Sequence, residues 1–122
     1  MRTIKTLLVI DDDLKHQEDV KDIANLVNPE WTVIAATNFA EARREITANP
    51  KADIILMDAC LEEKRKVDTV SLVRELVAAG HQGQQIIADS SSSDYNRQLV
   101  EAGCTNAIQK WLIYKELKNL LT

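Results

Sequence analysis

The chain has 122 residues, of which 45% are hydrophobic and 28% are charged, and its formal net charge is −4. This length predicts one domain over residues 1–122 with a single core, and this composition excludes a disordered chain. The acidic balance, without a basic stripe, argues against direct binding of nucleic acid, and no apolar run is long enough to span a membrane.

The N-terminus and the cysteines indicate the compartment. Met1–Lys5 leads straight into a predicted strand and shows no signal-peptide pattern. Cys60 and Cys104 are too few for a disulfide scaffold, and the predicted elements place them at opposite edges of the sheet. We therefore expect a reduced, cytoplasmic protein.

Strand and helix patterns alternate along the chain. The predicted strands are short runs of apolar and β-branched residues, at 5–10, 31–36, 52–57, 84–88 and 105–109. The predicted helices carry apolar residues every three or four positions, at 14–27, 38–48, 67–79, 94–102 and 111–121. Asn38 with Glu41 forms a capping box for the second helix, and Gly80 ends the third.

This alternation predicts a fold class. Strands and helices in strict succession give a five-stranded parallel sheet with helices on both faces, an α/β fold. Right-handed crossovers leave few topologies, and we expect the flavodoxin-like strand order 2-1-3-4-5. In that order the first and third strands are neighbours, at the switch point where open α/β sheets bind ligands.

Two of the predicted strands end in acids. Leu7–Ile10 runs into Asp11 and Asp12, and Ile54–Met57 runs into Asp58. At the carboxyl edge of the sheet these three carboxylates converge in one crevice, where their mutual repulsion requires a cation. Oxygen ligands at a shallow, water-accessible edge suit Mg²⁺, and a backbone carbonyl from the loop after Asp58 would complete the set.

The other strand ends add a hydroxyl and a cation. Strands four and five end in Ser90 and Lys110. Facing a site of carboxylates and Mg²⁺, these groups are the ones needed to hold the equatorial oxygens of a phosphoryl group. Asp58 is then the expected nucleophile, which would form an aspartyl phosphate.

These residues carry a family resemblance. Over its whole length the chain resembles the receiver domain of two-component response regulators. The resemblance rests on four motifs in the same order as in that family: Val9-Ile10-Asp11-Asp12, Ile55-Leu56-Met57-Asp58, the hydroxyl of Ser90 after strand four, and Ala102-Gly103 followed at the usual distance by Lys110.

The resemblance implies a signalling function. It implies a phosphorylation apparatus with these parts: the phosphoacceptor Asp58, the Mg²⁺ ligands Asp11, Asp12, Asp58 and the backbone carbonyl of Cys60, the switch hydroxyl Ser90, and Lys110 as the cation that pairs with the phosphoryl group. The donor would be a phosphohistidine on a histidine kinase or a histidine phosphotransfer protein. The output would reach a downstream protein target, and the chain would not be a turnover enzyme.

The chain also departs from the family pattern. Leu61-Glu62-Glu63 stands where the family often has Met-Pro, in a segment that is longer than usual. Ala107 takes the place of an aromatic switch residue in strand five. Trp111 follows Lys110 where the family often has proline, and we expect a trans peptide bond there because a non-proline cis bond costs about 2.5–4 kcal/mol.

Two other functions remain open, and a third, flavin binding, is disfavoured. A receiver-like fold that has lost phosphorylation would act only as a protein-interaction module. A haloacid-dehalogenase-like phosphatase also uses an Asp nucleophile and Mg²⁺, but it requires a second acid at the position of Cys60. A flavin-binding flavodoxin-like protein would need a phosphate loop after strand one, where this chain has acids.

Several neighbouring polar residues are predicted to have structural roles. Asp13 is expected to be solvated, and His16 to lie on the surface of the first helix or pack at its edge. One of the serines at 91–93, or Asp94, is expected to cap the fourth helix. Cys104 is expected to be a small buried residue.

Overall fold

A computed structural model describes residues 5–80 and 85–122. Within these ranges strands and helices alternate as the sequence predicts. The strands are β1 (Lys5–Ile10), β2 (Trp31–Ala36), β3 (Ile54–Met57), β4 (Gln85–Ala88) and β5 (Asn106–Ala107). The helices are α1 (Leu14–Val27), α2 (Phe39–Ala48), α3 (Val70–Ala78), α4 (Ser93–Ala102) and α5 (Ile113–Leu120), with a 3₁₀ turn at Lys110–Leu112 before α5.

The five strands form one parallel sheet in the order β2-β1-β3-β4-β5. The predicted fold class and strand order are therefore confirmed. β1 and β3 are neighbours, and their register pairs Leu7 with Ile54 and Ile10 with Met57. This register brings the carboxyl ends of the two acid-terminated strands to the same level of the sheet.

Alternate side chains of the strands face opposite layers of helices. Leu7 and Val9 pack with α1 and α5, whereas Leu8 and Ile10 pack with α2, α3 and α4. Because β1, β3 and β4 are covered on both sides, their residues are almost all apolar and buried. The same alternation decides which helix layer each residue just beyond a strand end will face.

Some predicted element bounds were too wide. The third strand, predicted at 52–57, begins at Ile54, because Asp53 accepts the Thr6 N–H with its side chain at 2.8 Å. The third helix, predicted at 67–79, begins at Val70. The capping box of α2 is modified: Asn38 accepts from the Glu41 N–H, while the Glu41 carboxylate accepts from the N–H and hydroxyl of Thr37.

The fifth strand and the last helix differ most from prediction. The strand expected at 105–109 is reduced to Asn106–Ala107, because the Thr105 hydroxyl exchanges hydrogen bonds with Ile86 at the start of the strand. The helix expected at 111–121 is preceded by the 3₁₀ turn. Every peptide bond of the described residues is trans, as predicted for Lys110–Trp111. Residue 84, the predicted first residue of strand four, lies outside the described ranges.

Two further predictions concern the cysteines and the membrane. Cys60 and Cys104 are both free thiols, and Cys104 is buried as expected. Burial raises the pKa of the Cys104 thiol to about 12, so it behaves as a small apolar residue. In the described part of the chain, every helix is too short or too polar for a membrane span.

Candidate functional site

The carboxyl ends of three adjacent strands bring acids together. Backbone hydrogen bonds extend the sheet one residue beyond each strand: Asp58 N–H donates to Ile10 O at 2.9 Å, and Asp89 N–H donates to Met57 O at 2.8 Å. Asp11, Asp58 and Asp89 are thereby held side by side at the edge of the sheet, and all three are buried.

The position of Asp11 is fixed by the first turn of α1. Its Oδ1 accepts the Asp13 N–H at 2.9 Å, and exposed Asp13 in turn caps α1 by accepting from the N–H groups of Lys15 and His16. From inside the same helix, the Gln17 amide donates to the carbonyls of Val9 and Asp11. The acidic Asp11-Asp12-Asp13 run is therefore shaped by hydrogen bonds as well as by the strand.

Lys110 is the cation that faces these acids. Its Nζ lies 2.9 Å from Asp11 Oδ2 and 3.4 Å from Asp58 Oδ1, and its N–H donates to Ser90 O at 3.2 Å. Burial lowers the pKa of Lys110, but the hydrogen bond and charge of Asp11, with the charges of Asp58 and Asp89, outweigh burial and raise it. The ammonium is therefore charged at any physiological pH.

The two oxygens of Asp58 have different surroundings. Oδ1 accepts the Ala59 N–H at 2.9 Å and faces Lys110, whereas Oδ2 has no hydrogen-bond partner within the described ranges. Burial, and then the charge of Asp11, raise the pKa of Asp58 to about 7, with Lys110 acting in the opposite direction. This carboxylate is under-neutralised in the absence of a further cation.

The donor set fits a hard divalent cation. One oxygen from each of Asp11, Asp12 and Asp58 lies within 4.8 Å of the others, and Asp12 is exposed to solvent. Burial and the charge of Asp11 also raise the pKa of Asp12, so Lys110 alone does not balance the three acids. Carboxylates with access to water are the environment that Mg²⁺ prefers.

An open cleft lies over these acids. It has a volume of about 450 Å³ and is lined by residues that include Asp12, Asp58, Cys60, Lys64 and Lys110. Lys64, from the charged loop after Asp58, lies on the wall of this cleft, although charged loops are usually solvated. Cys60, whose carbonyl the resemblance assigns to the metal, is thus on the wall of the cleft, two residues beyond Asp58.

Ser90 lies at the cleft wall in a rigid setting. Its backbone exchanges two hydrogen bonds with the buried side chain of Asn96, at 2.9 and 3.0 Å. Its hydroxyl accepts the Ser92 N–H at 3.1 Å, and the Ser92 hydroxyl caps α4 by accepting from Tyr95 N–H. The serine run is therefore a folded helix entry, and the predicted cap is Ser92.

The loop after Asp58 is organised by an acid that the sequence analysis missed. The Asp68 carboxylate accepts the N–H groups of Leu61, Glu62 and Glu63 at 2.7–2.9 Å. The Thr69 hydroxyl donates to Asp58 O at 2.7 Å and so ties the end of the loop back to β3. The charged segment is therefore a structured wall, and the bonds to Asp68 span five to seven residues, which no local turn pattern in the sequence predicts.

His16 is placed differently from the prediction. It is buried, not on the surface or at the edge of α1, and its Nε2 lies 3.0 Å from Asp89 Oδ2 and 3.7 Å from Asp11 Oδ2. Its Nδ1 lies 2.8 Å from the hydroxyl of Tyr114 on α5. The physical reason is the sheet alternation, which turns Asp89 towards the layer formed by α1 and α5. The helical spacing of His16 with Val20 and Ala24 was the signal.

Solved structures with the same architecture are response regulators and receiver domains. A response regulator from Chloroflexus aurantiacus is 23% identical, with 98% of both chains covered and a TM-score of 0.77. A CheY-like response regulator receiver domain protein from Methanospirillum hungatei is 20% identical, with 98% of this chain and 94% of that chain covered and a TM-score of 0.76.

A third structure carries a modification and a metal. A response regulator from Burkholderia pseudomallei, with a phosphorylated aspartic acid, a calcium ion and citrate, is 23% identical over 97% of this chain and 66% of that chain, with a TM-score of 0.77. No family model and no curated protein matches the chain. The chain thus has the fold of response regulator receiver domains, and a shared fold does not by itself define a function.

Proposed function

We propose that this chain is a phosphoacceptor receiver domain, phosphorylated on Asp58 in a Mg²⁺-dependent reaction with a phosphohistidine donor. One observation carries the proposal: the Lys110 ammonium lies 2.9 Å from Asp11 Oδ2 and 3.4 Å from Asp58 Oδ1, while Asp58 Oδ2 is left without a partner among the described residues, at the open cleft. A carboxylate oxygen beside a fixed cation is suited to attack on phosphorus.

In the proposed transfer, Asp58 Oδ2 attacks the phosphorus of the donor. An O–P bond forms, the N–P bond of the phosphohistidine breaks, and its electron pair stays on the imidazole nitrogen, which then takes up a proton. Lys110 stays within reach of the oxygens of the incoming group, and the Ser90 hydroxyl can turn from Ser92 towards them.

Asp11, Asp12 and Asp58 would hold Mg²⁺, together with the backbone carbonyl of Cys60. When bound, the ion would supply positive charge that offsets these carboxylates and the oxygens of the phosphoryl group. The phosphorylated aspartic acid and calcium ion of the Burkholderia pseudomallei protein support the proposal by analogy of fold.

The proposal implies protein partners. A histidine kinase or a histidine phosphotransfer protein would deliver the phosphoryl group, and a downstream protein would receive the signal. The chain would be modified once per cycle and would not turn over a substrate. The geometry does not support the phosphatase alternative, because Cys60 stands where a phosphatase of that class requires its second acid. Burial and the charge of Asp58 raise the pKa of the Cys60 thiol, so this side chain does not replace a carboxylate.

The test is intact-mass spectrometry after incubation with acetyl phosphate. In the transfer from this donor, the P–O bond to the acetyl group breaks and acetate leaves. We expect one added phosphoryl group with MgCl₂ and none with EDTA. Asp58→Ala should remain unmodified, while Asp22→Asn, a change at an exposed acid of α1, should be modified as the wild type is.

Two outcomes would overturn the proposal. An unmodified mass for a folded wild-type protein in MgCl₂ would favour the interaction-module alternative. A modification that survives in Asp58→Ala would place the phosphoryl group on another residue.

A further inference from the structure

A third buried carboxylate lies next to Asp11 and Asp58 and has no role in the proposed transfer. Asp89, at the end of β4, is 1% exposed, and its charge acts on both Asp58 and Lys110. It stands one residue before Ser90, on the side of the sheet covered by α1 and α5. Asp89 can therefore compete with Asp11 and Asp58 for the Lys110 ammonium.

The Asp89 carboxylate is hydrogen-bonded to the side chain of His16. His16 Nε2 lies 3.0 Å from Asp89 Oδ2, and Asp89 Oδ1 has no hydrogen-bond partner in the part of the chain that is described. The imidazole is 3% exposed, and its Nδ1 is held at 2.8 Å by the hydroxyl of Tyr114. His16 thus supplies the one hydrogen bond that this carboxylate receives from the described residues.

Loss of the hydrogen bond between His16 and Asp89 would affect the position of the Lys110 ammonium. A buried carboxylate without a donor bears its full desolvation cost, so it either takes up a proton or draws in a donor that can move. The Lys110 ammonium is within electrostatic reach of Asp89 and sits on a flexible four-carbon stem. Its side chain is a quarter exposed, so packing leaves it room to turn.

We propose that His16 is a positioning residue: by engaging Asp89, it keeps the Lys110 ammonium on Asp11 and Asp58. His16 acts through Asp89 and touches neither the phosphoryl group nor its donor. The proposal rests on the proposed function only where phosphorylation is measured, because the placement of Lys110 can be followed in the metal-free protein.

The primary test is ¹H–¹⁵N NMR of the lysine side-chain ammonium groups, without metal or phosphoryl donor. The Lys110 signal is assigned with Lys110→Arg. We expect the signal to shift in His16→Leu, and to return to its wild-type position in the double variant His16→Leu/Asp89→Val, which removes the competing carboxylate together with its donor.

A conservative variant separates positioning from packing. His16→Gln keeps an N–H donor near Asp89 and should preserve most of the wild-type Lys110 signal, whereas His16→Leu preserves apolar volume only. Tyr114→Phe removes the bond to Nδ1 and leaves Nε2 in place, so it should shift the signal less than His16→Leu does. If His16→Leu does not fold, the comparison of His16→Gln, Tyr114→Phe and the double variant still decides the question.

The second measurement is the rate of phosphorylation by acetyl phosphate with MgCl₂. His16→Leu should lower the rate about tenfold, the size expected for losing one charge-assisted hydrogen bond, and adding Asp89→Val should restore it to within about twofold of wild type. If the wild-type protein is not phosphorylated, the proposed function is wrong, but the NMR measurement still tests the positioning role of His16. A Lys110 signal that stays unchanged in a folded His16→Leu, or a double variant that stays as shifted as the single one, would overturn the positioning role.

Discussion

The hydroxyl of Tyr95, in the first turn of α4, donates a hydrogen bond to the backbone carbonyl oxygen of Arg65 at 3.2 Å. Arg65 lies in the loop that follows Asp58, and α4 follows directly from Ser90 and its neighbours. The bond therefore joins the two walls of the cleft above Asp58. A change at either wall can be passed to the other without using β5.

The hydrogen bond between Tyr95 and Arg65 predicts which segments should change when a phosphoryl mimic binds. Ala107 offers no ring that could move when Ser90 turns, so the face formed by α4, β5 and α5 should change less than the cleft walls. Amide hydrogen exchange with and without beryllofluoride and Mg²⁺ should show its larger changes in residues 59–68 and 89–95. Tyr95→Phe should reduce the change in residues 59–68. Dominant changes in residues 105–115, with the other two segments silent, would contradict this.

A fluorescence change should report on Lys110. Trp111 follows Lys110 and is 67% exposed, whereas Trp31 is nearly buried and its indole N–H donates to Leu121 O at 3.0 Å. In Trp31→Phe, a titration with beryllofluoride and Mg²⁺ should therefore alter the emission of the remaining indole. The matched variant Trp111→Phe should be nearly silent. If an independent assay shows that Trp31→Phe binds beryllofluoride but its emission does not change, then Lys110 is not coupled to the site.

The pKa of Asp58 predicts how stability depends on pH without metal. Burial and the charge of Asp11 raise this pKa from 3.8 to about 7, so across that range the folded protein keeps a proton that the unfolded chain releases. Stability should therefore fall as pH rises through this window. Asp58→Asn should stabilise the metal-free protein by on the order of 1–3 kcal/mol at pH 8, and by less at pH 5.

Chemical unfolding at the two pH values in EDTA measures this difference. Asp22→Asn, at an exposed position of α1, serves as the control and should change stability little at either pH. Equal effects of Asp58→Asn at pH 5 and pH 8 would show that the carboxylate is not under-neutralised as described.

The two glycines with positive φ should differ in their tolerance of alanine. Gly103 (φ 134°) ends α4, and a Cβ there would lie 2.7 Å from Val77 Cγ2, whereas Gly80 (φ 86°) has open space around it. Gly80→Ala should cost about 1 kcal/mol for backbone strain alone. Gly103→Ala should cost about 2–4 kcal/mol, because the clash with α3 adds to the strain. Thermal unfolding of both variants measures this, and equal costs would be inconsistent with the close approach of α3 and α4.

The convergence of Asp11, Asp12 and Asp58 was predictable because it depends on strand order and chain direction alone. Two apolar runs end in acid, and neighbouring parallel strands must bring those ends together. Ser90 and Lys110 were predicted from the ends of strands four and five, but they lie two and three residues beyond β4 and β5, and Lys110 opens the 3₁₀ turn. None of these placements requires knowledge of side-chain packing.

The partnership of His16 with Asp89 needed more than a sequence pattern. His16 occupies the same stripe of α1 as Val20 and Ala24, but one polar residue in an apolar stripe is equally typical of the edge of a helix. Asp89 turns towards that stripe only because the end of β4 has a definite alternation, and Tyr114 joins them only because α5 packs beside α1. The pairing therefore depends on three separate elements.

The inward face of α1 supports the acids, since Gln17 holds the end of β1 and His16 engages Asp89. The outward side chains of Lys15, Glu18 and Asp22 are exposed, and the Lys15 ammonium pairs with Asp19 on the same helix at 3.0 Å. Substitutions on the outward face can therefore accumulate over evolutionary time without disturbing the acids beneath. Duplicates of such a chain could diverge on this surface while the arrangement of their acids stays the same.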